Sequence, residues 1–173
     1  MFPRLTFILG GAASGKSEFA ERLTETAGLA KHYLATSQPV DREMRDKIER
    51  HRGRRGADWV THEEPLDVGP VLAGLDHDCV CLFDCATLWL GNQMMAERDL
   101  DDAQTLLIAA LTACRAPVIL VSNEIGQGIV PADALSRRFR EAQGRLNIAL
   151  AREADLAVQV IAGLPNVLKG RLP

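Results

Sequence analysis

The sequence predicts an α/β fold, a mostly parallel sheet with helices on both faces. Three observations carry that expectation. Short apolar runs alternate with stretches of helical periodicity along the whole chain. Two of the runs, CVCLFDC (79–85) and PVILVSNE (117–124), are continuous rather than alternating, the pattern of strands buried on both faces. The first run, LTFILG (5–10), passes through a glycine-rich turn straight into a helix.

Each element has its own signal. Phe19, Ala20, Leu23 and Ala27 fall at helical spacing within 17–28, and Gly28 closes that helix. KHYLATS (31–37) is strand-like. After Pro39, a charged segment capped by Asp41 reads as a helix running toward residue 55. DWVTHE (58–63) is a short strand, and 66–75 a helix weakened by Gly69 and Pro70. A helix over 101–116 precedes the strand at 117–124. The stretch 132–154 is a long amphipathic helix with Leu135, Phe139, Ala142, Leu146 and Leu150 on one stripe. DLAVQVIAG (155–163) is the last clear strand. No linker, repeat or low-complexity tract interrupts the pattern, so residues 1–173 are expected to form a single domain.

Bulk properties exclude several classes of function. A net charge of −3 and a pI near 5.8 argue against nucleic acid or an anionic membrane as main partner, so any anion site must be a local concentration of positive charge. No uninterrupted run of 18 apolar residues suggests a membrane span, and the polar helix after the first strand reads against a signal peptide. Cys79, Cys81, Cys85 and Cys114 lack the spacing of a zinc site and read as small core fillers in a reducing cytoplasm.

GGAASGKS (10–17) fits G-x-x-x-x-G-K-[ST] between a strand and a helix, the context of a P-loop. Gly10 and Gly15 allow a tight turn in which the backbone N–H groups of Gly10, Gly11, Ala12, Ala13, Ser14, Gly15, Lys16 and Ser17 can face a polyphosphate. The helix N-terminus adds its positive dipole end. Lys16 can reach the outer phosphates, and the Ser17 hydroxyl can ligate Mg²⁺. Asp84, at the end of a buried strand, suits the acid that a P-loop fold keeps on a neighbouring strand to hold the metal. No D-x-x-G follows Asp84, and 117–124 ends in SNE rather than N-K-x-D, so a small-molecule phosphotransferase is favoured over a regulatory GTPase.

One segment stands apart. IERHRGRRGADW (48–59) places His51 among four arginines in a slightly acidic chain. Met44, Ile48, His51 and Arg55 would share one helical stripe, which allows a half-buried structural histidine. Yet Arg52, Gly53, Arg54, Arg55 and Gly56 resemble a flexible basic loop more than a solvated helix face. Arginine forks suit phosphate oxygens, and a neutral imidazole can attack phosphorus. Arg138 and Arg145, seven apart on the long helix, read as a solvated face or as a phosphate or substrate contact. Gly126, Gly128 and Pro131 form a loop at the strand end where open α/β sheets place ligands.

With LGGAASGKS, YLATSQPVDREMRDKIERHRGRR, the W-x-T-x-E at 59–63, DCATLWLGN and VSNEIGQGIVPADALSRRFREAQGRLN in place, the chain resembles the bifunctional adenosylcobinamide kinase/adenosylcobinamide-phosphate guanylyltransferases of cobalamin biosynthesis nearly end to end. The resemblance implies a P-loop NTPase fold of RecA-like type and a cytoplasmic homotrimer. It also implies two reactions: phosphorylation of adenosylcobinamide by ATP or GTP, then transfer of GMP from GTP to adenosylcobinamide phosphate. It gives His51 the role of the guanylylated nucleophile. Nucleotide contacts are implied for the P-loop, for Ala35, Thr36 and Ser37, for Arg52, Gly53, Arg54 and Arg55, and for Glu63 and Asp84. Flanking arginines would hold His51 neutral, as attack requires. A monofunctional P-loop kinase with a structural histidine is the alternative.

Overall fold

The computed structural model describes residues 2–38, 53 and 56–173. The helix expected from Asp41, together with His51, Arg52, Arg54 and Arg55, lies outside the described residues.

Seven strands join one sheet in the order β3-β2-β4-β5-β1-β6-β7. In chain order the elements are β1 (Leu5–Gly10), α1 (Lys16–Glu25), β2 (Ala30–Ala35), β3 (Trp59–Glu63), α2 (Val68–Ala73) and β4 (Cys79–Asp84). They continue with α3 (Ala86–Met95), α4 (Leu100–Ala113), β5 (Val118–Asn123), α5 (Ala134–Glu153), β6 (Leu156–Ile161) and β7 (Leu164–Lys169). Strands β1 to β6 pair in parallel, and β7 returns antiparallel along β6.

The continuous apolar runs occupy the middle of this sheet, as their composition demands. In β4, Cys79 to Phe83 are buried; in β5, Val118 to Ser122. Strand alternation divides their side chains between two cores. Leu5, Phe7, Phe83, Val118 and Leu120 pack under α2 to α5 with Trp89, Leu107 and Leu146. Ile8, Leu82, Ile119, Val121 and Val158 pack under α1 with Phe19, Ala20 and Leu23. All four cysteines are unpaired and buried within these cores; burial, with the Asp84 charge second, pushes the Cys85 thiol up to about 11.

Local chemistry sets the ends. Asp99 accepts from the N–H groups of Asp101 and Asp102 at the start of α4, and Asp133 accepts from the Ser136 N–H at the start of α5. Pro70 sits in the first turn of α2, where a missing N–H does no harm.

Three elements differ from the sequence expectations. Helix α3 was not anticipated, because it starts two residues after β4 and buries Ala86, Thr87, Trp89, Leu90 and Gln93 on several sides, which blurs any single stripe. Strand β7 was not anticipated either: it is exposed throughout and contains Pro165, and the turn joining it to β6 uses Ala162 and Gly163, both at positive φ, instead of the usual Asn-Gly. The stripe of α5 begins at Phe139, leaving Leu135 exposed, and it includes two buried amides, Gln143 and Asn147.

Strand β3 forms one edge of the sheet, held by backbone pairing to β2 and by a side-chain contact. His32 Nδ1 and His62 Nε2 lie 2.9 Å apart in a stacked pair, so one ring donates to the other. Burial, then the neighbouring His62, lowers the His32 pKa against the opposing pull of Asp78. The unfolded chain therefore binds more protons at this site than the folded one. Its contribution to stability is present above the ordinary histidine value of about 6.5 and is lost as pH falls through that value toward the lower folded pKa.

Leu120 is fully buried at the centre of the sheet, so Leu120→Ala is expected to cost about 2–5 kcal/mol in urea unfolding, with the m-value unchanged. For the histidine pair, stability measured between pH 8 and pH 5.5 is expected to decline, and His32→Gln to flatten part of that decline. A variant whose pH profile overlays the wild type would remove His32 from the account.

Candidate functional site

The chain between β1 and α1 folds as a compact cradle. Gly10 ends β1 where an added Cβ would collide with the Ser14 hydroxyl and approach the Val160 carbonyl to 2.9 Å, so the close fold-back of residue 14 needs glycine. Gly15 caps α1 in the left-handed region, at φ 88°, and a Cβ there would lie 3.0 Å from Gly163 Cα. The turn between β6 and β7 thus rests on the loop, and the Gly163 N–H donates to the Ser14 carbonyl at 2.8 Å. The hairpin that the sequence did not announce braces the cradle.

Lys16 opens α1, and its Nζ donates to the Gly11 carbonyl at 3.0 Å, folding the ammonium back over the loop. Ala12 and Ala13 are exposed, while Gly11, Ser14, Gly15, Lys16 and Ser17 are half-buried. Among the described residues the buried Ser14 hydroxyl has no hydrogen-bond partner. A concave loop with N–H groups, an ammonium and a helix N-terminus at one place is chemically an anion receptor.

Asp84 comes to the same edge on β4, but β4 is not the immediate neighbour of β1: β5 lies between them. The expected neighbouring-strand acid is therefore one strand farther away. The Tyr33 hydroxyl donates to Asp84 Oδ2 at 3.0 Å and fixes the carboxylate. Tyr33 was missed by sequence reasoning, since an aromatic in a strand reads simply as core.

Of the segment after β2, Ala35 is buried and Ser37 half-buried. Thr36, expected among the nucleotide contacts, is fully buried. Its hydroxyl donates to the Cys85 carbonyl at 2.8 Å and accepts from the Cys85 N–H at 3.0 Å. The side chain is thus consumed in tying the ends of β2 and β4 together. Asn92 of α3 extends the tie, donating to the carbonyls of Thr36 and Pro65. Glu63 ends β3 opposite Ala35 and is exposed. Gly53 is exposed. Arg138 and Arg145 are exposed as well, Arg145 within 3.9 Å of Glu141, which favours the solvated-face reading.

The loop after β5 is shaped by two arginines. Arg140 donates to the carbonyls of Gly126 and Gly128, and Arg137 to those of Pro131 and Ala132. Beneath it lies a buried polar cluster: Gln143 and Asn147 of α5 both bond to Ser122 of β5. Polar residues four apart on an apolar stripe are the signal that could have revealed it.

Fold and cradle together define a P-loop nucleotide-binding enzyme on a mostly parallel seven-stranded sheet. A solved structure of a protein from Pyrococcus horikoshii OT3 shares the fold alone, with a TM-score of 0.59 at 6% identity over 96% of this chain and 86% of that one. Residues 6–168 match the family described as cobinamide kinase / cobinamide phosphate guanyltransferase. The bifunctional adenosylcobalamin biosynthesis protein CobP of Pseudomonas aeruginosa is 45% identical over 166 residues, covering 94% of this chain and 96% of that protein. The protein of the same description, CobU, from Salmonella typhimurium is 39% identical over 182 residues, covering 95% and 99%. This chain belongs to the bifunctional cobinamide kinase/cobinamide phosphate guanylyltransferase family of adenosylcobalamin biosynthesis. The monofunctional kinase alternative is not favoured.

The cradle yields a direct test. Gly15→Ala forces a side chain into a left-handed backbone position and against Gly163. The expected outcome is a loss of about 1–2 kcal/mol of stability, with GTP affinity weakened roughly tenfold or more, read by calorimetric titration.

Proposed function

We propose that this chain carries out both family reactions with the P-loop as phosphate site and His51 as nucleophile. The observation that carries the reading is the cradle at Gly10 to Ser17, with Lys16 folded over it and Asp84 held at the same edge of the sheet by Tyr33.

In the kinase reaction, a hydroxyl of cobinamide attacks the γ-phosphorus of ATP or GTP. The bond to the β–γ bridging oxygen breaks, the nucleoside diphosphate leaves, and the hydroxyl proton passes to water. In the second reaction, an imidazole nitrogen of His51 bonds to the α-phosphorus of GTP as pyrophosphate departs. An oxygen of cobinamide phosphate then attacks that phosphorus, the P–N bond breaks, and the guanylylated product forms with the histidine restored.

Both steps gather negative charge, which Lys16 and the loop N–H groups would stabilise. Arg52, Arg54 and Arg55 would do the same beside His51 and favour its neutral form. Ala35, Thr36 (through its backbone, since its hydroxyl is bonded to Cys85), Ser37, Gly53 and Glu63 belong to this reading as nucleotide contacts. A hydroxyl at Ser17 and a fixed carboxylate at Asp84 are hard oxygen donors, few in number, as Mg²⁺ shared with substrate phosphates prefers. Mg²⁺ would neutralise developing phosphate charge, with Ser17 and Asp84 holding it.

The described residues hold no helix long and apolar enough to cross a membrane. A cytoplasmic location, one functional domain over 1–173 and a trimer complete the proposal. Exposed Leu164, Val167 and Leu168 on the edge strand β7 favour assembly of copies.

GTP labelled at the α or the γ phosphate tests the central point. With Mg²⁺ present, the denatured protein is expected to retain α label only, stable to alkali and lost in acid, and His51→Ala to retain none. Wild-type protein that binds GTP but keeps no α label would refute the histidine's role.

A further inference from the structure

We propose that the side-chain amide of Asn123 is a catalytic donor to the γ-phosphoryl group in the kinase reaction, held in place by Thr87 and Asn147. The inference rests on the P-loop reading above and adds a residue to which neither motif nor resemblance assigned a role.

Asn123 ends β5, the strand between β1 and β4, and pairs in register with Gly10, the first glycine of the cradle. The Glu124 N–H donates to the Gly10 carbonyl at 3.0 Å, so the chain stays bound to the P-loop one residue beyond. Alternation decides the face. Ile8, Ile119, Val121, Val80 and Leu82 all lie in the core beneath α1. Gly10, Asn123 and Asp84 share their parity and so share that face. Asp84 pairs in register with Val121, which leaves Asn123 one strand nearer the cradle and two residues farther along. A phosphate chain seated on the loop at the start of α1 would point its terminal group into the space between Lys16 and Asp84, and Asn123 borders that space.

The second observation is the way Asn123 is held. Its N–H donates to Thr87 Oγ1 at 2.8 Å, and its carbonyl accepts from Asn147 Nδ2 at 3.2 Å. Thr87, Ser122, Gln143 and Asn147 are all buried, and Asn147 Oδ1 accepts from both the Ser122 hydroxyl and the Gln143 amide. This is costly architecture: four polar side chains within an apolar core, each needing partners. It fixes the backbone of Asn123 from both sides. Yet the Asn123 side chain is half-buried and makes no hydrogen bond among the described residues. A rigidly held amide, unspent and next to the phosphate cradle, is arranged as a preorganised donor.

In the transfer, the bond from γ-phosphorus to the β–γ oxygen breaks as the bond to the substrate hydroxyl forms, and the hydroxyl proton leaves to water. Charge on the equatorial γ-oxygens is where the amide N–H would act. Thr87 and Asn147 are positioning residues, since they act through the Asn123 backbone.

The test compares wild type with Asn123→Ala and Asn123→Asp, variants that leave the backbone clamp unaltered, their folding checked by thermal melting. Transfer of γ label to cobinamide is followed in single turnover, GTP affinity by titration, and α labelling of the protein in parallel. Asn123→Ala is expected to slow γ transfer by about a hundredfold, with the GTP Kd moved by less than about threefold. The ratio of γ transfer to α labelling would fall at least roughly tenfold. Asn123→Asp, similar in shape but negatively charged toward the phosphate, is expected to be impaired at least as much. The idea is overturned if γ transfer stays near wild type, if Asp restores it, or if it falls only in step with GTP affinity and α labelling. Wild-type protein that transferred no γ label would overturn the underlying reading together with it.

Discussion

In-register parallel pairing of β4 and β1 to the strand between them sets the geometry of the whole site. Because β1, β4 and β5 all run the same way, their carboxyl ends meet at one edge, and Gly10, Asn123 and Asp84 end there together. The pairing is held by apolar burial on both faces, with Ile8, Phe83, Ile119, Leu120 and Val121 fully enclosed. A slip of one residue would turn Asp84 and Asn123 to the opposite face, away from α1 and the cradle. Register is therefore a functional quantity here, and two hydrophobic cores enforce it.

The loops at that edge are then tied down by contacts within the protein itself. Thr36 clamps the end of β2 to Cys85, and Asn92 carries the tie across to Pro65. The β6–β7 turn rests on Ser14 and Gly15. Arg137 and Arg140 gather the loop after β5 by its own carbonyls. These contacts share one logic: loop backbone at the rim of a sheet lacks ladder partners, so side chains from neighbouring elements and the backbone of an adjoining turn satisfy it. The rim becomes stiff enough to present N–H groups and a carboxylate in fixed positions.

Two transfers at different phosphorus atoms of one nucleotide place distinct demands on such a rim. Attack at the γ-phosphorus needs stabilised charge at the far end of the phosphate chain, where the strand ends converge. Attack at the α-phosphorus needs a nucleophile near the nucleoside and a charged environment for departing pyrophosphate. In the proposed reading these demands fall to separate parts of the chain, the rigid strand ends and the arginine-rich segment around His51. In the same reading a single cradle serves both, gripping the phosphates that are donor in one reaction and leaving group in the other.

The sequence by itself determined the α/β alternation, the buried strands, the P-loop and the singular histidine among arginines. Each is written in local periodicity, or in residue types whose chemistry is local. Its family resemblance held across residues 6–168. Tertiary structure alone decided that β5 separates Asp84 from the P-loop strand, because strand order is set by crossovers that periodicity does not record. It alone decided that Thr36 is a buried clamp, that Tyr33 holds Asp84, and that Gln143 and Asn147 brace Ser122 and Asn123. A polar side chain looks the same in sequence whether it meets substrate or backbone. Only the packing around it, with every buried donor and acceptor needing a partner, separates the two.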